Sequence, residues 1–220
     1  MKLQFIFLLC VLFMGNTISQ AQTPEEFPNV PGTVIYHSPA STGKFPGSPT
    51  ICILPNGNYL AACDLFGKEV EESNHPKTLI FESKDQGKSW QQKSIVKGCW
   101  WSGFFYHNHT LYLMGTSKEY GNCVIRKSTD HGKTWSDPTD ESHGLLFKGD
   151  YERGFHTAPT AVTIHNGRIW RGMETAPTKG NWGNDFRMLI LSAPVDADLL
   201  QAKNWTKSNE LAFDKNWKPY

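Results

Sequence analysis

Ser83-Lys84-Asp85-Gln86-Gly87-Lys88-Ser89-Trp90 and Ser128-Thr129-Asp130-His131-Gly132-Lys133-Thr134-Trp135 share one pattern, S-x-D-x-G-K-(S/T)-W, with their tryptophans 45 residues apart. The pattern is that of a hairpin turn. Ser and Asp side chains accept hydrogen bonds from nearby backbone N–H groups, and Gly supplies a positive φ. Each Trp opens the next strand and can fold back over the turn. Apolar runs precede both copies, Leu79-Ile80-Phe81 and Val124-Ile125. A spacing of about 40–45 residues matches one four-stranded propeller blade.

A second repeat lies between these turns. Pro49-Thr50-Ile51-Cys52-Ile53-Leu54-Pro55-Asn56-Gly57 aligns with Pro159-Thr160-Ala161-Val162-Thr163-Ile164-His165-Asn166-Gly167 at an offset of 110. Each is an apolar strand running into Asn-Gly, the strongest short hairpin signal. Return strands follow at 58–64 and 168–174. A looser copy runs from Ser102-Gly103-Phe104-Phe105 through Asn108-His109 to Leu111-Tyr112-Leu113-Met114. The sequence thus predicts an all-β chain with three blades beginning near residues 47, 99 and 157. The third blade ends in a degenerate turn from Ser192-Ala193-Pro194 to Trp205, and Leu211-Ala212-Phe213-Asp214 reads as its last strand or the start of a fourth blade.

The turn motif resembles the Asp-box, or bacterial neuraminidase repeat, of sialidases and related six-bladed β-propellers, with Ser83, Asp85, Gly87, Trp90, Ser128, Asp130, Gly132 and Trp135 as its structural residues. The resemblance extends over essentially the whole chain after residue 21. Propellers close with about four to eight blades, so three read as an N-terminal part of a longer ring.

Residues 1–21 read as a signal peptide. Lys2 gives a short positive start, Phe5 to Met14 an apolar run, and Ser19-Gln20-Ala21 a cleavage signal. Gly15-Asn16-Thr17 ends the run short of the about 20 residues that a membrane span needs. The organisation expected is therefore a leader at 1–21 and a propeller domain at 22–220, secreted or periplasmic. A formal charge of +1 points away from nucleic acid as a partner. Four cysteines remain after the leader, Cys52, Cys63, Cys99 and Cys123. They allow three pairings and match no zinc spacing, and their apolar settings favour buried thiols. With no phosphate-binding glycine loop and no metal-ligand cluster, neither cofactor nor metal is expected.

The resemblance implies a glycoside hydrolase acting on glycan ends, but the sialidase residues transfer poorly. Gly47 stands where the family's first arginine opens blade one. In the stretch from Ala158-Pro159-Thr160 to Gly167-Arg168, Ala158 replaces a glutamate and Glu174 falls at the second arginine's position. A carboxylate clamp needs guanidinium groups, so the sugar is left open. The repeat offers another pair instead. Asp64 and Glu174 are equivalent under the 110 offset, and both should end return strands at the channel mouth. Glycosidases use two carboxylates about 5–9.5 Å apart. Asp64 and Glu174 are accordingly the expected catalytic pair. His156, Arg171, Trp100 and Trp101, near the same rim, are the expected substrate-binding groups, the indoles as platforms for sugar faces. His107 and His109 read as solvated turn residues at the opposite end. The alternatives are a non-catalytic propeller that binds glycans or protein, and a polysaccharide lyase with His156 as base.

Overall fold

The structure, a computed structural model, describes residues 29–68, 76–180 and 183–217. The leader expected at 1–21 lies outside the described residues. Among those described, no helix is long and apolar enough to cross a membrane.

Three antiparallel sheets follow one another along the chain. The first holds β1 (Phe45–Ile53), β2 (Tyr59–Phe66), β3 (Lys77–Ser83) and β4 (Gln91–Lys97) in sequence order. The second repeats this with β5 (Trp100–His107), β6 (Thr110–Thr116), β7 (Cys123–Ser128) and β8 (Leu145–Phe147). The third has a divided inner strand, β9 (Arg153–His156) and β10 (Thr163–His165), both paired with β11 (Arg168–Pro177). Next comes β12 (Arg187–Pro194), which pairs with the short β13 (Thr206–Lys207) and β14 (Leu211–Ala212). This is a partial β-propeller of three blades. Leu211-Ala212 belongs to blade three and Phe213 beyond it is exposed.

The middle sheet explains its own sequence. Because strand side chains alternate, a sheet buried on both faces reads as an unbroken apolar run. Leu111 and Leu113 of β6 pack towards blade one with Leu60, Ala62 and Ile80, while Tyr112 and Met114 pack towards blade three with Ile169, Met173 and Leu191. Phe104 and Phe105 divide in the same way. Blade one's other face is covered in part by Ile35 and Tyr36, which pack with Ala61, Leu79 and Phe81, while Ile51 and Ile53 on that blade and Met188 and Ile190 on blade three are exposed.

The two S-x-D-x-G-K-(S/T)-W turns are built alike. Ser83 Oγ accepts from Gly87 N–H at 2.8 Å and donates to Asp85, and Ser128 does the same with Gly132 and Asp130. Each Asp then accepts from the backbone and hydroxyl of Ser89 or Thr134. The Trp90 and Trp135 indoles donate to the carbonyls of Gly87 and Gly132. Gly87 and Gly132 have φ of 89° and 85°, as the motif requires. Hydrogen bonds from Ser89 hold the Asp85 carboxyl down to about 2. At Asp130 slight burial pushes upward, yet the bonds from Thr134, Ser128 and Lys133 outweigh it, again giving about 2. The turn from Pro194 to Trp205 lacks the Ser–Asp pair, its Asp198 accepting instead from Leu200 N–H, but keeps the indole, which donates to Leu199 O at 2.9 Å.

One imino acid changes a hairpin. Asn166-Gly167 forms a two-residue turn with φ of 48° and 70°, and Asn108-His109 does likewise with 44° and 58°. In blade one Pro55 stands where His165 pairs with Arg168. Without an N–H it cannot close that rung, so the turn widens and Leu54 N–H donates to Asn58 O instead. Of the two histidines expected to be solvated, His109 is exposed, but His107 Nε2 lies 2.5 Å from Val195 O and ties blade two to blade three. That correction follows from the following loop folding back over the hairpin.

Removing the Ser128 hydroxyl leaves the Gly132 N–H without its partner and takes one of several hydrogen bonds from Asp130. Ser128→Ala should therefore lower unfolding free energy by about 1–2 kcal/mol, read as a lower urea midpoint at unchanged slope. Because the Asp85 and Asp130 carboxyls titrate below their ordinary value, their contribution is complete above about pH 4 and is lost as pH falls through about 2.

Candidate functional site

Each inner strand is irregular at the same height. Register slips between Gly47 and Thr50 in β1, and between Trp100 and Gly103 in β5, and blade three's inner strand breaks between His156 and Thr163. Ser48 and Trp101 sit in the two slips with φ of 51° each. Bulges of this kind re-aim side chains and free backbone N–H groups from the ladder. Directly opposite them on the return strands stand Asp64, Thr116 and Glu174, paired with Gly47, Trp100 and His156. The repeat equivalence of Asp64 and Glu174 is thus real, but their surroundings differ.

Asp64 is only 1% exposed. One oxygen accepts from Thr78 Oγ1 at 2.6 Å, and the other accepts from Trp101 N–H of blade two at 2.7 Å. Burial pushes its carboxyl up to about 7, against the lowering effect of hydrogen bonds from Thr78, Trp101 and Ser48. The Thr78 hydroxyl also lies 3.0 Å from Cys99 O. It has one proton. If that proton goes to Cys99, Asp64 must be protonated and donate to Thr78. The expectation that Asp64 opens onto the channel mouth is therefore corrected, because the second blade's bulge covers it. Here it buckles blade one to blade two.

Glu174 is open, its side chain 35% exposed. Its Oε2 meets His156 Nδ1 at 2.7 Å, a cross-strand pair between β11 and β9. Aromatic rings surround the imidazole, with centroids of Trp101 at 4.2 Å, Phe186 at 4.5 Å and Tyr120 at 6.2 Å. Glu174 and His156 lie at one side of a cavity of about 370 Å³ whose walls include Phe186, Met188, Phe213 and Trp217. Backbone and side chain together link Asp64, Trp101, His156 and Glu174 across all three blades.

Trp101 joins this cluster through its contact with His156. Trp100 does not reach it, being 3% exposed and packed between Phe66 and Trp101 at 5.1 Å from each. It is a wedge between blades rather than a platform. Arg171 is also corrected. It is 1% exposed, and its guanidinium donates to Thr160 Oγ1 at 2.6 Å and Ala158 O at 3.0 Å, fixing the break in blade three's inner strand. No carboxylate among the described residues forms an ion pair with it. Desolvation lowers its pKa to about 10, which still leaves it charged at neutral pH.

Phe186, Tyr120, Phe213 and Trp217 were not among the expected residues. They come from loops and the chain beyond β14, where no repeat marks them. Thr78 was legible only through register, since it sits opposite Asp64. Cys52, Cys63, Cys99 and Cys123 are free; Cys99 and Cys123 are buried thiols as expected, whereas Cys52 and Cys63 are half-buried, and burial pushes the Cys63 and Cys123 thiols up to about 12, so they are poor nucleophiles.

No protein-family model matches the chain, and no curated protein is similar enough to count as a relative. Solved structures do match. The α-L-arabinofuranosidase of Lactobacillus brevis superposes with a TM-score of 0.60 at 16% identity, over 82% of this chain and 61% of that one. Zg3597, a family 117 glycoside hydrolase from the marine bacterium Zobellia galactanivorans, gives 0.51 at 11% identity, over 79% and 58%. The Trypanosoma rangeli sialidase gives 0.39 at 11% identity over 70% and 29%, too slight a likeness to argue from. The chain spans about three fifths of the first two neighbours, and the likeness to them is one of fold.

An Asp64→Asn variant can keep both contacts, with its carbonyl accepting from Trp101 and its amide donating to Thr78. Wild-type Asp64 holds its proton to about pH 7 when folded but loses it near pH 4 when unfolded, so wild-type stability falls between those values. The variant should match wild type at pH 4 and exceed it by on the order of 2–4 kcal/mol at pH 8. Thermal melts across that range check this.

Proposed function

We propose that the protein is an exported glycoside hydrolase acting on the terminal sugar of a neutral glycan. The observation that carries this is the Glu174–His156 pair, open to an aromatic-walled cavity on a propeller fold that glycoside hydrolases share. In this reading Glu174 is the reacting carboxylate. The imidazole donates to one of its oxygens and leaves the other to face the sugar. Trp101 and Phe186 enclose the imidazole and exclude water, which strengthens that bond. Asp64 acts from beneath, fixing the bulge that carries Trp101.

A neutral sugar fits better than a sialic acid. No described arginine lines this cavity; Arg153 is engaged by the carbonyls of Thr175 and Asp185, and Arg171 is enclosed. Neither is offered as a fork for a carboxylate. The arabinofuranosidase likeness makes an α-L-arabinofuranoside the first substrate to try. The second reading, a glycan-binding propeller without turnover, is favoured by the burial of Asp64, which leaves Glu174 as the one open carboxylate of the expected pair.

Purified protein with its natural leader removed should release nitrophenol from 4-nitrophenyl α-L-arabinofuranoside. Glu174→Gln should reduce kcat by about 10²–10⁴-fold at unchanged melting temperature, since general acid–base groups contribute rates of that order. Equal rates in the variant and wild type would remove Glu174 from the chemistry. Binding of arabino-oligosaccharides without turnover would select the second reading.

A further inference from the structure

We infer that a second cavity on the same face, at the junction of blades two and three, binds another sugar residue of the same neutral glycan. It has a volume of about 550 Å³ and is framed by three loops, 117–122, 148–152 and 177–179. That volume lies within the about 300–1,000 Å³ typical of small-ligand sites. The inference rests on the glycan reading above and adds a site that lies apart from Glu174.

Its two tyrosines and its charge balance point to a sugar. Tyr151 is 81% exposed, a large ring left in solvent, with Lys179 Nζ 5.7 Å from its centroid. Tyr120 forms another wall and is shared with the first site through its 6.2 Å approach to His156. Tyrosine faces suit sugar C–H bonds, while amide, ammonium and carboxylate groups suit hydroxyls. Lys118 and Lys179 are balanced by Glu119 and Asp150, so the lining carries no net charge and favours an uncharged ligand.

The walls are already set for a ligand. Tyr120 is held at φ 49°, a conformation unusual for a side chain of its size. The neighbouring backbone imposes it, because Gly121 bridges to Phe155 of β9, and a Cβ on Gly154 would meet Tyr120 O at 1.8 Å. Asn122 Oδ1 accepts from Gly149 N–H, and Thr178 Oγ1 donates to Tyr151 O at 2.7 Å. Binding here therefore orders little that is loose, which limits its entropic cost.

The test titrates linear α-1,5-arabino-oligosaccharides of two to five units by calorimetry into the full protein carrying Glu174→Gln. Two further versions add Tyr151→Ala or Lys179→Ala, both exposed positions whose melting temperature is checked. Affinity should rise with chain length, and Tyr151→Ala should weaken the longest ligand by about 5–20-fold while leaving the disaccharide unchanged. Lys179→Ala should give a smaller loss of the same pattern. An identical length dependence with and without Tyr151 overturns the inference, and so does failure of every oligosaccharide to bind. Length-dependent, Tyr151-sensitive binding in a protein that hydrolyses nothing would retain this site and discard the hydrolase reading.

Discussion

The hydrogen bond from Trp101 N–H to the Asp64 carboxylate orders much of what surrounds it. A bulged inner strand exposes an N–H that its own ladder cannot use, and an unmet N–H inside a protein costs about 1–3 kcal/mol. Asp64, projecting from the neighbouring blade, meets it at 2.7 Å. The bond places the Trp101 ring against His156, and His156 in turn holds Glu174. A group that sequence equivalence makes a partner of Glu174 in chemistry is its partner in position. A carboxyl group at the same repeat position is enclosed in one blade and open in another, because only the first has a sheet packed over it among the described residues.

The fold was legible because its signals are local. Ser, Asp, Gly and Trp within eight residues define a turn wherever they occur, and the 45- and 110-residue offsets carry the rest. Blade starts near 47 and 99 agree with β1 and β5, whereas blade three's inner strand is split around a stretch that Arg171 pins. No pattern of apolar residues encodes such a break. The site was legible in part. Glu174, His156 and Trp101 could be found from strand ends, but which face of a blade a side chain takes depends on register. Register is why Trp100 wedges between blades while its neighbour Trp101 lines the rim, and why Arg171 turns inward. Tyr120, Phe186 and Trp217 arrive from loops, whose course depends on long-range packing.

The contrast between the two cavities is chemical. The one beside Glu174 is smaller and walled by phenyl, indole and thioether groups, which suits enclosing a single ring and drying the bond to be broken. The one beside Tyr151 is larger, polar and electrically balanced, which suits holding a hydroxyl-rich chain without committing to its charge. Tyr120 lines the second and approaches His156 of the first, so its constrained backbone links the two.

The hydroxyls around the second blade's bulge have an effect beyond their individual bonds. Cys99 Sγ donates to Ser102 Oγ, and both Ser102 and Thr116 donate to Trp100 O, while Thr78 reaches Cys99 O. These short side chains form a polar thread through an otherwise oily interior, standing in for the missing rungs of a ladder. A kinked strand can thus run between two tightly packed sheets with its carbonyls answered, and the molecule gains an outward-turned indole without opening a wet gap in its middle.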